Sequence, residues 1–121
     1  MAHKLLFISA ILGLTSVVMG ALADHAFSLT PEQTESMATA IRYNMLYAVL
    51  TAALSLHAPH AKLHIAATIF CAGTMLFCFS IYASLATGIV QLTYLTPLGG
   101  LTLMAGWATL AFFAITHKKP A

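Results

Sequence analysis

The side chains able to do chemistry are few and scattered: Asp24-His25, Arg42-Tyr43, Ser80, Tyr82 and Thr96, three histidines at 57, 60 and 64, and the cysteines Cys71 and Cys78. A carboxylate beside an imidazole, with a guanidinium to face them, could form an ion pair, hold a small anion or pass a proton. His57, His60 and His64 have a spacing that suggests a metal site. Pro59 breaks the stretch, however, and no acidic or cysteine ligand accompanies it, so a polar interfacial loop beside Lys62 is expected instead. Cys71 and Cys78 are seven positions apart in one apolar run. On a helix that spacing is about 10 Å, beyond the roughly 7 Å a disulfide can bridge, so both are expected to be small packing residues. No nucleophile elbow, phosphate-binding loop or zinc-protease pair occurs. Three acidic side chains in all leave carboxylate-pair catalysis poorly supplied. The expectation is a protein that is not an enzyme and needs no metal or cofactor.

The elements that must position these groups follow from composition. The chain has 121 residues, of which 60% are hydrophobic and 7% charged, with a mean hydropathy of +0.91. Soluble domains carry about a quarter charged residues. Five basic and three acidic side chains cannot cover a water-soluble surface of this size. Those numbers exclude a soluble enzyme, a disordered tail and a nucleic-acid-binding domain, which needs a basic stripe. They predict a single all-α domain over 1–121: an integral membrane bundle of four transmembrane helices at about 4–23, 31–57, 63–87 and 97–116.

The first stretch begins like a secretory signal, with Lys4, an apolar run and Ala21-Leu22-Ala23. The run is longer than a signal core, so it is read as a retained helix. Thr30-Pro31-Glu32-Gln33 carries the clearest start signal: a capping threonine, proline at the first helical position and glutamine at the capping-box position. Gly88 is placed to end the third helix, and Thr96-Pro97 to cap the fourth. Lys4, Lys62, Lys118 and Lys119 fall on one side of a four-span topology, whereas Asp24, Glu32 and Glu35 fall on the other. The positive-inside rule then puts both termini in the cytoplasm.

Small residues recur at helical spacing on the first helix (Ser9, Gly13, Ser16, Gly20) and the fourth (Gly99, Thr102, Gly106, Thr109). Such stripes let helix backbones approach closely in lipid. They suit a tight bundle, or an oligomer with identical chains. Tyr43, Tyr47, Tyr82 and Tyr94 are expected mostly at interface depth, and Trp107, half-way along its helix, as a packing residue.

Depth arithmetic gathers the candidates. With Lys4, His57, His64 and His117 at the inner boundary, a rise of about 1.5 Å per residue puts Asp24 about 30 Å up, Arg42 about 22 Å, Ser80 about 24 Å, Tyr82 about 27 Å and Thr96 about 30 Å. They share one layer in the outer leaflet. Arginine at a helix centre costs about 2.5–3.5 kcal/mol and takes a partner, and its long stem reaches outward. An Asp24–Arg42 ion pair with His25 beside it is therefore expected. It either locks the bundle or forms a site for an ion, proton or ligand.

These residues also carry a family resemblance. Gly20-Ala21-Leu22-Ala23-Asp24-His25-Ala26, Arg42-Tyr43-Asn44-Met45, Leu76-Phe77-Cys78-Phe79-Ser80-Ile81-Tyr82, Leu95-Thr96-Pro97-Leu98-Gly99-Gly100 and Ala105-Gly106-Trp107 occur in the order and spacing of the YgdD-like family. That family comprises small inner-membrane proteins of unknown function, with eukaryotic relatives among small transmembrane proteins, and the resemblance covers nearly the whole chain. His25, Arg42, Tyr43, Ser80, Tyr82, Thr96 and Pro97 match its pattern. Asp24 stands where the family usually has alanine, Tyr47 where it has histidine, and Phe79 where it has glycine. The resemblance implies a multi-pass protein of the inner (plasma) membrane with no established reaction. Two roles are carried forward: a non-enzymatic structural or accessory protein acting through helix association, as a homo-oligomer or part of a larger membrane complex, and a ligand-binding or transport module using the outer-leaflet layer for an anion, a lipid headgroup or a proton.

Overall fold

A computed structural model of the chain describes residues 2–25, 28–56 and 61–116. These residues are almost wholly helical: α1 (Ala2–His25), α2 (Pro31–Ser55), α3 (Ala61–Thr74), a π-helical turn (Met75–Phe79), α4 (Ser80–Thr87), a 3₁₀ segment (Val90–Leu95) and α5 (Thr96–Thr116). The α3–π–α4 stretch is apolar and long enough to cross a bilayer from Lys62 to Thr87, and so are His3–His25 and Val90–Thr116. Of the four spans expected, α2 alone falls short of that apolarity among the described residues, because Arg42, Asn44 and its polar first turns dilute it.

Local chemistry sets the boundaries. Thr30 Oγ1 accepts from the Gln33 amide at 3.1 Å, and the Thr30 amide donates to Gln33 Oε1 at 3.0 Å. This reciprocal box satisfies two otherwise orphaned donors at the start of α2. Gly88 ends α4 at φ +76°, a conformation that penalises any Cβ, and its amide donates to the Ser84 carbonyl at 2.8 Å. Thr96 departs from expectation. Its backbone is already helical, because the 3₁₀ segment feeds straight into α5, so it does not cap the helix from outside.

The third span also differs from the uniform helix expected over 63–87. Its centre widens into the π-turn, bracketed by hydroxyls that return hydrogen bonds to the backbone: Thr74 to the Phe70 carbonyl at 2.6 Å and Ser80 to the Phe77 carbonyl at 2.9 Å. Such local back-bonding bends helices. At this point α5 makes its closest approach. A Cβ on Gly99 would stand 2.7 Å from Phe77 Cα and 2.9 Å from the Leu76 carbonyl carbon. Glycine is required there by contact with backbone.

Packing runs from α1 to α2, from α2 to α3, and from α3 to α5. The inner helices bury most: half of the third span is covered, against 22% of the first and 17% of the last. One core cluster gathers Leu5, Leu12, Tyr47, Leu54, Leu63, Phe70 and Leu103; a second gathers Met37, Ala40, Cys78, Ile81 and Tyr82. Outward faces of α1 and α5 carry Phe7, Leu14, Val17, Leu101, Met104 and Ile115, all exposed. That pattern suits lipid as the surrounding solvent.

The small-residue stripes turn inward in part, with Gly13, Gly20, Thr102 and Thr109 left half-exposed. Gly99 and Gly106 face the third span, with a Cβ at Gly106 only 2.6 Å from the Phe70 ring. Ser9 and Ser16 are buried, and Ser16 donates to the Ile41 carbonyl on α2 at 3.1 Å. Cys71 and Cys78 are free and buried.

Candidate functional site

The seven residues assigned to the outer layer divide among separate contacts. Ser80, the first residue of α4, and Thr96, the first of α5, bring their hydroxyls to 2.6 Å. This bond takes the Thr96 side chain away from any capping role and ties the two ends of the α4–3₁₀–α5 connection. Tyr43 stacks on Phe77 of the π-turn at a centroid distance of 5.0 Å. Tyr82 is buried, and its hydroxyl accepts from Asn44 Nδ2 at 2.9 Å. A fourth contact lies deeper: Trp107 Nε1 donates to Tyr47 Oη at 2.8 Å, with both rings against Phe70.

These bonds correct the aromatic assignments. Tyr47 and Tyr82 are interior residues rather than interface anchors, because each hydroxyl finds a partner on a neighbouring helix; Tyr94 is the exposed one. Trp107 packs on Tyr47 and Phe70, yet it stays 46% exposed. Sequence pattern does not single out Asn44. The signal it offers is an amide in an otherwise apolar span, which must find a partner where lipid supplies none. Its Oδ1 is buried without a hydrogen-bond partner among the described residues.

Asp24 and Arg42 come to one place but do not form the expected ion pair. Both are exposed, and no ion pair closes between them among the described residues. Instead they line a hollow of about 320 Å³ between the end of α1 and the start of α2, together with Gly20, Ala23, Leu29, Thr34, Met37, Ala38 and Ile41. The Asp24 and Arg42 side chains are free to reach an outside group because, among the described residues, no donor holds the carboxylate and no acceptor holds the guanidinium. His25 ends α1, exposed, and is not among the lining residues.

On the opposite side of the molecule, Lys62 Nζ lies 5.5 Å from the Phe112 ring centroid. His57 and His60 fall outside the described residues. His64 is partly buried, and the described residues contain no cluster able to hold a metal ion. No grouping of nucleophile, base and orienter is formed among the described contacts.

Comparison with known proteins decides the family. Residues 19–100 match a family described as a protein of unknown function (DUF423). The chain belongs to this family. A UPF0382 membrane protein of Schizosaccharomyces pombe is 34% identical over 111 residues, covering 85% of this chain and 94% of that one. A UPF0382 membrane protein of Haemophilus influenzae is 30% identical over 123 residues, covering 98% and 99%. The UPF0382 inner membrane protein YgdD of Escherichia coli is 29% identical over 120 residues, covering 95% and 92%. No solved structure matches the chain. The resemblance read from the sequence motifs therefore holds: this is a DUF423 membrane protein of a family with no assigned activity. The matched stretch includes all seven residues of the polar layer.

Proposed function

We propose that this DUF423 protein is a non-enzymatic, multi-pass inner-membrane protein. It crosses the bilayer four times with both termini in the cytoplasm, and acts through helix association as a homo-oligomer or an accessory subunit of a larger membrane complex. The observation that carries the reading is how its polar groups are used. Ser80–Thr96, Asn44–Tyr82 and Tyr47–Trp107 each join two helical elements, so hydroxyl, amide and indole groups serve packing rather than chemistry. Four crossings are supported by α2, whose 25 residues are about 37 Å long at 1.5 Å each, enough for a core of about 30 Å. Its polar side chains Asn44, Thr51 and Ser55 turn inward against helices that are themselves long and apolar enough to span.

A partner helix has a place to rest. Ser9, Ala10, Gly13, Ala48 and Ala52 line a shallow apolar groove of about 210 Å³ between α1 and α2. Small residues let another backbone come close, and packing drives association in lipid. The test is in-membrane cross-linking through a cysteine at Ala10 or Val49, with native mass spectrometry of gently extracted protein. A cross-linked dimer or a reproducible second subunit, lost in Gly13→Ile, is expected. A bare monomer that Gly13→Ile leaves unchanged overturns the association reading. A second reading, a ligand-binding module, is favoured by one feature alone, the open hollow between Asp24 and Arg42.

A further inference from the structure

We infer that the hollow between α1 and α2 is a binding site for the headgroup of a zwitterionic phospholipid bearing a primary ammonium. The inference deepens the ligand-binding reading and rests on it; it does not depend on helix association.

The argument starts from charge. Asp24 and Arg42 line the same hollow, one anionic and one cationic, yet they do not close on each other or on another described residue. An arginine near lipid takes a partner, and neither group has one here among the described residues. A hollow of about 320 Å³ lined by both leaves room for a group that presents both signs at once. Its size falls at the small end of ligand pockets, which run from about 300 to 1,000 Å³.

The remaining lining identifies the rest of the ligand. Leu29, Met37, Ala38 and Ile41 make the hollow mostly apolar, so the occupant carries hydrocarbon next to its charges. Gly20 and Ala23 keep the α1 wall low; an added Cβ on Gly20 would meet nothing within 4 Å. Depth agrees. On the proposed topology Asp24 stands about 30 Å above the inner boundary and Arg42 about 22 Å, and the arginine stem extends outward toward the headgroups.

The two charged groups divide the work. Arg42 presents a planar fork of N–H donors suited to two phosphate oxygens at once. The Asp24 carboxylate can only accept hydrogen bonds, which fits an ammonium that has N–H donors. A trimethylated ammonium has none and would lose that contact. An anionic headgroup without an ammonium would meet Asp24 as a like charge. The site therefore selects phosphatidylethanolamine-type chemistry over choline and glycerol headgroups.

The experiment uses the full chain in detergent micelles, titrated with short-chain phosphatidylethanolamine, phosphatidylcholine or phosphatidylglycerol and read by native mass spectrometry. One saturable phosphatidylethanolamine per chain is expected, at least tenfold tighter than the other two. Asp24→Asn should abolish that preference, and Arg42→Gln should weaken all three lipids at least tenfold. Gly20→Leu fills the hollow from a position with free space and should block binding while Trp107 fluorescence stays that of the folded protein. Soluble phosphoethanolamine should compete at least a hundredfold less well than the lipid. Equal binding of phosphatidylglycerol overturns the proposed ligand while leaving a ligand-binding site in place. Competition by phosphoethanolamine as strong as by the lipid replaces the lipid with a soluble ligand. Failure of every lipid to bind, or binding unaffected by all three substitutions, overturns the site itself.

Discussion

Gly99→Ala offers a direct test of how α5 is held against the π-turn. The new Cβ would lie 2.7 Å from Phe77 Cα and 2.9 Å from the Leu76 carbonyl carbon. Carbon atoms rest at about 3.5–4.0 Å, so α5 must retreat by roughly 1 Å, and a gap of that size forfeits a quarter to a half of each contact's attraction. Overpacking of this kind costs about 1–3 kcal/mol. The retreat also stretches the Ser80–Thr96 bond one turn away, and interhelical hydrogen bonds in membranes average about 0.6 kcal/mol. Alanine recovers about 0.8–1.0 kcal/mol of helix propensity. The net expectation is a loss of about 0.6–2.8 kcal/mol, or roughly a three- to hundredfold shift in the folding equilibrium. Trp107, the single tryptophan, packs on Phe70 and Tyr47, so its fluorescence reports the α3–α5 contact during unfolding in mixed detergent and SDS micelles. Gly100→Ala is the matched control: its Cβ would meet the Phe77 side chain at an ordinary 4.0 Å and should be neutral or stabilising. If Gly99→Ala and Gly100→Ala unfold at the same SDS fraction, the close approach of α5 to the π-turn is not what holds this helix pair.

Other outcomes follow from the same contacts. Tyr82→Phe strips the acceptor from Asn44 in a buried setting and should cost about 1–3 kcal/mol, most of it recovered in the double variant Asn44→Leu with Tyr82→Phe; a double variant no better than the single refutes the pairing. A double-mutant cycle of Ser80→Ala with Thr96→Val should give a coupling of about 0.5–1.5 kcal/mol in the same unfolding assay, and zero coupling denies the bond. Cys71 and Cys78 are buried and should resist a membrane-permeant maleimide until the protein is unfolded by SDS. In that quiet background, Gln91→Cys on the exposed 3₁₀ segment should react with an impermeant maleimide added outside cells, and Lys62→Cys only after permeabilisation. The reverse pattern inverts the proposed orientation.

How much of this was legible in the sequence depended on whether the cause was local. Helix identity and the positions of the connections follow from nearest neighbours. The Thr30–Gln33 box, Pro31 at the first turn and Gly88 at the end of α4 act within four residues, so spacing alone exposes them. Low charge likewise announces a membrane protein before any contact is known. Depth arithmetic extends this reach, because helical rise converts residue number into height. It put Ser80 and Thr96 about 6 Å apart in height within one layer, and their hydroxyls meet.

Azimuth around each helix is another matter, and tertiary packing decided it. Height brings Asp24 near Arg42, but whether their side chains close on one another depends on how α1 and α2 rotate and separate; the helices leave a hollow instead of an ion pair. Tyr47 and Tyr82 were placed by type at the interface, yet the rotation of α2 and the widening at Met75–Phe79 turn both inward onto Trp107 and Asn44. The π-turn itself has no sequence signature of its own. It exists where Gly99 lets α5 lie against the Phe77 backbone, a contact between residues 22 positions apart in the chain. Composition and local caps thus determine that this protein is helical and where α2 starts and α4 stops, and helical rise assigns each residue an expected height. Which polar groups face each other is set only when the helices pack, because that depends on rotation and close approach, and neither is encoded within a single turn.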